Sequence, residues 1–431
     1  MADSRVIKVE ALARVEGEGS LSVKVRDGKV TELHFGIFEP PRFFEAFLRG
    51  RDYSEVPDIT ARICGICPVA YLMGASQAME DALGITVTKP IRDLRRLVYC
   101  GEWIESHALH VYMLHAPDFL GLADALELAA ANRPLVEQAL RLKKIGNEIL
   151  ELIGGRAIHP IGLRVGGFYK TPRKKELKKA LADELKWAID TSLATVKLVG
   201  GFDFPDVVQD YNFMALRHPD EYAIHEGRLV TSKGLDIPVR DFLKHVDEEH
   251  VPWSNALHGV AKDGSHHHVG PLARYNLNHD KLNPVARDAA KAAGLGKEVR
   301  NPFQSIVVRS VELVQVCIDA LAIVENWEEP DRPYVEAPVR AGEGHGCTEA
   351  PRGICYHRYR IAKDGSVEDA RIIPPTAQNQ KVIELDLWKV VQQNLAKSDD
   401  EIKWRCEQAI RNYDPCISCA THFLKLEVDR G

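Results

Sequence analysis

The chain has 431 residues, with 56 Lys and Arg against 62 Asp and Glu, a net charge of -6, and 45% hydrophobic and 27% charged residues. Those proportions are ordinary for a soluble globular protein and exclude a disordered one, and the mild acidity gives no electrostatic reason to bind nucleic acid or an anionic membrane. No apolar run follows the N-terminal Met-Ala-Asp-Ser-Arg, and no stretch approaches the ~18 consecutive apolar residues of a membrane helix. A cytoplasmic protein is expected. Nine cysteines are too few for a disulfide scaffold in so long a chain, and a reducing compartment leaves them free to bind metal.

In chain order, residues 6 to 37 alternate apolar and polar side chains on either side of Asp27-Gly28, which predicts a hairpin. Glu16 and Glu45 fall just before and just after it, near strand or loop ends, and Cys64-Gly-Ile-Cys67 follows. From about Ile91 to Val199 the apolar residues take helical spacing, which predicts three or four long helices. His107 and His110 share a face of the first and are expected as structural histidines, with one lining a site as the alternative. Residues 200 to 300 are mixed. Within them, His266, His267 and His268 follow a turn at Lys262-Asp-Gly-Ser265; three adjacent histidines cannot all face one metal, so a surface or interface loop is expected. A helix is predicted over Ile306 to Val324, a second hairpin over Cys355 to Ile361 and Val367 to Ile373, and helices from about Val382 to Ala396 and Asp400 to Arg411. The last helix delivers the chain to Asp414-Pro-Cys416-Ile-Ser-Cys419-Ala-Thr-His422.

The fold class is therefore α+β and predominantly helical, a long-helix bundle core with small antiparallel β-hairpins near the N- and C-terminal parts. Each CxxC sets two sulfurs on one tight turn, where they can share a soft metal as thiolates. For the two pairs to meet, both chain ends must converge on one interior point, which favours one intertwined unit over residues 1–431 rather than separate domains. Its parts are a hairpin region at 1–60, a helical bundle at 91–200, and helices with the second hairpin at 300–422. Cys100, Cys317, Cys347, Cys355 and Cys406 stand alone and are expected as buried structural thiols. Taken by themselves, two CxxC pairs most often mean structural zinc in a closed shell of four sulfurs. A thioredoxin-like redox pair fits less well, because neither pair opens a helix after a strand. Zinc knuckles are local, whereas these pairs bracket nearly the whole chain.

Seven pieces in order carry a family resemblance: Arg14-Val-Glu16-Gly, Arg42-Phe-Phe-Glu45, Arg62-Ile-Cys64-Gly-Ile-Cys67, Glu105-Ser-His107-Ala-Leu-His110, Thr348-Glu-Ala-Pro351-Arg352-Gly353, Pro375-Thr376, and Asp414-Pro-Cys416-Ile-Ser-Cys419-Ala-Thr-His422. Over essentially its full length the chain resembles the large, catalytic subunit of nickel-iron hydrogenases, in particular the cytosolic bidirectional type linked to NAD(P). The resemblance implies that Cys64 and Cys416 are terminal thiolates on nickel and that Cys67 and Cys419 bridge nickel to iron. Iron then needs further ligands, which in the family are cyanide and carbon monoxide. Arg352 and Thr376, beside Pro351, offer the hydrogen-bond donors that anionic cyanide accepts, and Asp414 could orient Arg352.

Heterolytic cleavage of dihydrogen needs an acceptor for hydride, which the metals supply, and a base for the proton. Cys416 is the easier base, because a guanidinium is rarely neutral, and Arg352 becomes its electrostatic partner; the reverse assignment is the alternative. Glu16 matches the family's proton relay, and a plain salt-bridging carboxylate is its other reading. Glu45 and His422 match a structural magnesium site, helped by a backbone carbonyl near Gln380.

The sequence departs from the family at Tyr71, where relatives commonly have His, and at Ser106, where many have Asp. Family precursors are cut just after the position of His422, which makes residues 423–431 a candidate propeptide; a terminal strand that stays is the plain reading. No further cysteine cluster or Gly-rich dinucleotide motif is present, so an iron-sulfur small subunit is expected as partner, with flavin-containing NAD(P)-reducing subunits behind it. A maturation endopeptidase and metal-insertion proteins complete the expected partners. The alternatives are a non-catalytic scaffold, like the related subunit of respiratory complex I, and a structural four-cysteine zinc protein.

Overall fold

The computed structural model describes residues 4–40 and 42–421. Five long helices build the interior: α1 (Pro68–Leu83), α2 (Lys89–Ala108), α3 (Arg133–Gly154), α4 (Lys174–Gly200) and α5 (Ser305–Asn326). α3 shows the expected amphipathic stripe, burying Leu142, Ile145, Ile149 and Ile153 against α2. In α5 every residue from Ser305 to Cys317 is buried, because α2 and α4 cover it from different sides. Among the described residues, no helix is long and apolar enough to cross a membrane.

Three antiparallel strands, β1 (Ser4–Val9), β2 (Gly19–Arg26) and β3 (Lys29–Ile37), form a meander in sequence order. Asp27 and Gly28 both take positive φ, 51° and 71°, as the two-residue turn between β2 and β3 requires. Near the other end, β4 (Gly342–Ala350), β5 (Gly353–Ile361) and β6 (Val367–Ile373) form a second three-stranded sheet, followed by α6 (Pro375–Gln393) and α7 (Asp399–Arg411). α6 packs on β3, and α7 packs on β1. The two ends of the chain therefore share one core. Most buried apolar side chains form a single cluster running from Ile7 to Ala420.

Three expectations need correction. The predicted C-terminal hairpin is a three-stranded sheet, and its first strand, β4, reads Gly-Glu-Gly-His-Gly and carries no apolar alternation. Its glycines face α1: a Cβ on Gly342 would stand 2.8 Å from the carbonyl oxygen of Ala82, and one on Gly344 would run into that of Ala78. The strand is selected for close backbone approach, not for side-chain burial. Second, α6 starts at Pro375 rather than about Val382, because its first turns, Thr376 to Gln380, are buried mostly through polar side chains that leave no apolar period. Third, His267 and His268 are buried and only His266 is partly open. His267 Nε2 meets Gln378 Oε1 at 3.1 Å, and His268 packs on Tyr211 and Tyr413, so aromatic and amide partners draw this turn inward.

Candidate metal centre

Cys64 lies in the turn that follows the short helix Val56–Ala61, and Cys67 is the residue from which α1 starts, with Pro68 in its first position. The backbone N–H groups of Ile66 and Cys67 both donate to Cys64 Sγ at 3.3 Å, so the loop wraps its own first sulfur. Cys67 contributes no side-chain cap to α1; instead the Glu102 carboxylate of α2 accepts from Val69 N at 2.6 Å. That contact locks the start of α1 to its neighbour.

Cys416 and Cys419 sit at the 3-10 turn Ile417–Thr421, and their hold on the fold is different. Cys416 N–H donates to Thr376 Oγ1 on α6 at 3.0 Å, which leaves the threonine hydroxyl proton available. Glu16 pairs with the segment twice: its carbonyl accepts from Ile417 N and its carboxylate from Ser418 N, each at 3.0 Å. Arg42 donates to Ser418 O and, at 2.8 Å, to Ile63 O. One guanidinium thus staples the two cysteine loops together. Its part in this could not be read from the sequence, because both acceptors are backbone carbonyls.

The four sulfurs converge. Cys64 Sγ lies 3.3 Å from Cys416 Sγ, Cys67 Sγ lies 3.6 Å from Cys419 Sγ, and all four fall within 4.8 Å of one another, fully buried. Burial pushes the Cys416 and Cys419 thiols up. Hydrogen bonds from the other three thiols, aided by the Arg352 charge, pull Cys64 well below the usual thiol range. Such a set is costly without a cation and suited to a soft one.

Arg352 completes the wall. Its Nε donates to Asp414 O at 2.5 Å, and its Nη2 pairs with the Asp414 carboxylate at 3.0 Å. Burial works against the guanidinium charge, but Asp414 and the sulfurs of Cys416, Cys67 and Cys64 outweigh it and raise its pKa. The pair with Asp414 therefore favours the charged form of Arg352. Its Nη1 is buried with no acceptor among the described residues, which is a donor held ready for a ligand that the sulfurs do not supply. A closed zinc shell has no use for such a group.

The other predicted residues spread around this point. Pro351 is buried and its carbonyl accepts from Arg274 at 2.8 Å. Glu16 is half-buried. Glu45 lies in the short helix Phe44–Leu48, not at a loop end, accepts from Ile372 N at 2.7 Å, and is pushed by burial up to about 7. Tyr71 and Ser106 are both buried. His107 pairs with Glu312 at 2.9 Å and His110 with the Arg411 carbonyl at 2.8 Å, as structural histidines do. His422 and residues 423–431 lie outside the described residues. Sequence reading missed Glu102 and assigned no role to Glu105; both are buried on α2, Glu105 pairs with Lys143 at 3.1 Å, and burial raises its carboxyl to about 7.

Comparison with known proteins agrees with this geometry. Residues 42–138 match the family model described as nickel-dependent hydrogenase. Sulfhydrogenase 2 subunit alpha of Pyrococcus furiosus is 35% identical, with 98% of this chain and 100% of that one covered; sulfhydrogenase 1 subunit alpha of the same organism is 32% identical, covering 97% and 98%. Among solved structures, an NAD+-reducing NiFe hydrogenase in its H2-reduced state superposes with a TM-score of 0.89 at 26% identity, covering 98% of this chain and 100% of that one. A NiFeSe hydrogenase of Desulfomicrobium baculatum, at 24% identity and a TM-score of 0.78 over 97% of this chain and 100% of that one, shares the fold. The chain belongs to the nickel-dependent hydrogenase family as a large, catalytic subunit, an oxidoreductase acting on dihydrogen, and its four-cysteine cluster fits the nickel-iron centre.

Proposed function

We propose that this subunit cleaves and forms dihydrogen reversibly in the cytoplasm and passes electrons through an iron-sulfur small subunit and a flavin subunit to NAD(P). The observation that carries the reading is the convergence of Cys64, Cys67, Cys416 and Cys419 beside the buried Arg352–Asp414 pair. When bound, the nickel-iron pair polarises dihydrogen and accepts its electrons. Cys64, Cys67, Cys416 and Cys419 would hold that pair through their thiolates, Cys64 and Cys416 on nickel alone and Cys67 and Cys419 shared with iron. Arg352, held charged by Asp414, would stabilise negative charge at the sulfurs, and its unpaired Nη1, with the Thr376 hydroxyl, would donate to the cyanide ligands of an iron that also carries carbon monoxide.

Cys416 takes the proton released on cleavage, and Glu16 receives it. The contacts of Glu16 to Ile417 and Ser418 support this role, because they hold its carboxylate on the segment that carries Cys416. Glu45, with His422, would hold magnesium in a structural site, which suits a carboxylate whose charge burial otherwise disfavours. The naming of relatives as alpha subunits supports a small-subunit partner, and the NAD+-reducing neighbour supports the NAD(P) link. The chain works as one intertwined domain, matured by metal-insertion proteins and an endopeptidase that removes residues 423–431.

Infrared spectroscopy of the purified complex tests the reading: bands from iron-bound carbon monoxide and cyanide, with nickel and iron in near-equal amount, are the expected result. Zinc alone, with no such bands, overturns it.

A further inference from the structure

Further along α6 from Thr376 stands a carboxylate that the chemistry above does not use. Asp386 is 1% exposed, and it accepts from the hydroxyl of Tyr211 at 2.7 Å to each oxygen, from the hydroxyl of Tyr413 at 2.6 Å, and from the side-chain amide of Gln209. The donors come from two remote segments, the stretch after α4 and the turn that leads into Cys416. The His268 ring packs on both phenols, edge-on to Tyr211 at 4.8 Å and tilted over Tyr413 at 4.9 Å. A buried carboxylate with this many donors is a costly device, kept where it orders what it touches.

What it touches is the residue before Asp414. Asp414 has φ of 51°, a left-handed conformation unfavourable for a non-glycine residue and further restricted by Pro415 after it. Such a turn persists only when its surroundings over-determine it. Arg352 holds Asp414 through its carbonyl and its carboxylate. Ser305 and Arg309 hold the carbonyl of Asn412 at 2.8 and 2.9 Å. Between these anchors, the Tyr413 hydroxyl reaches the other way, to Asp386.

We propose that Asp386 is a positioning residue for the metal centre: through Tyr413 it fixes the left-handed turn at Asp414, and with it the angle at which Arg352 and Cys416 meet the other three cysteines. The inference rests on the nickel-iron reading above and assigns a tether outside the metal ligands. No step of the reaction passes through Asp386 itself.

The test compares the metal-loaded complex of the wild type with Asp386→Asn, Tyr413→Phe and the double variant, by infrared spectra of the iron-bound diatomics, turnover with dihydrogen, and thermal melting. Both single variants are expected to shift the cyanide and carbon monoxide bands and to lower kcat by roughly tenfold, with KM for dihydrogen unchanged. The double variant should shift them no further than either single one, because both cut the same tether. Tyr413→Phe leaves Asp386 its Tyr211 and Gln209 partners, and it carries the test alone if Asp386→Asn does not fold. Bands and kcat identical to wild type, even with a lowered melting temperature, overturn the proposal and leave Asp386 a structural residue. Absence of the bands from the wild type overturns the nickel-iron reading instead.

Discussion

The two cysteine pairs hold their sulfurs in opposite ways. Cys64 and Cys67 belong largely to a frame of backbone, with Glu102 and Arg42 as added side-chain contacts: a helix ends before them, α1 begins at Cys67, the N–H groups of Ile66 and Cys67 wrap Cys64 Sγ, and the glycine-lined β4 presses directly on α1. Cys416 and Cys419 belong to a short turn held by individual polar groups from four remote places, Glu16, Arg42, Arg352 and Thr376. Backbone packing resists single substitutions unless they add volume, whereas a segment held by side chains answers to each one. The first pair is the fixed half of the site, and the second is the half whose geometry is tuned.

Removing a sulfur erases that distinction and has the largest effect. Cys416→Ser and Cys64→Ser should alike lose nickel and all turnover with dihydrogen, read by elemental analysis and hydrogen uptake; retention of nickel in either variant breaks the assignment of terminal ligands. A change behind the fixed half comes next. Gly344→Ala forces a methyl group onto the Ala78 carbonyl, and overpacking against backbone should cost about 3 kcal/mol, seen in the midpoint of denaturant unfolding. A variant as stable as wild type would show that the frame gives way more easily than its geometry implies.

On the tuned half, Arg352→Lys keeps the charge and loses the fork that holds Asp414 twice. Turnover should fall roughly tenfold to hundredfold with the metals retained and the diatomic bands displaced. The smallest effect concerns acid. Burial depresses the His268 imidazole from its ordinary value to about 3. The unfolded chain therefore binds a proton before the folded one does, so the stability that His268 contributes is complete above its unfolded value and is lost as pH falls towards the folded one. His268→Phe, which keeps the aromatic packing on Tyr413, should lose about 1–2 kcal/mol less than wild type between pH 6.5 and 5, measured by melting at each pH. Equal acid sensitivity in both proteins breaks that account.

Much of the site is legible in the linear chain because its chemistry rests on residue types that have few other uses in such company. The two CxxC pairs announce a thiolate cluster, the family resemblance sets Arg352 and Asp414 beside it, and the structure brings these groups together. Helices α2, α3 and α5 and the turn at Asp27-Gly28 follow from local periodicity and backbone preference, which depend on neighbours a few residues away.

Tertiary structure alone decides the rest. β4 has no apolar rhythm because its role is to let two backbones touch; the first turns of α6 are buried yet polar; and Arg42, Glu102 and Asp386 act on carbonyls, N–H groups and phenols that lie far off along the chain. A side chain states what it can bind, by charge, softness and shape. Which partner it meets depends on packing between elements that the chain itself does not juxtapose, and for that reason the four cysteines are readable in the chain while Arg42, Glu102 and Asp386 are not.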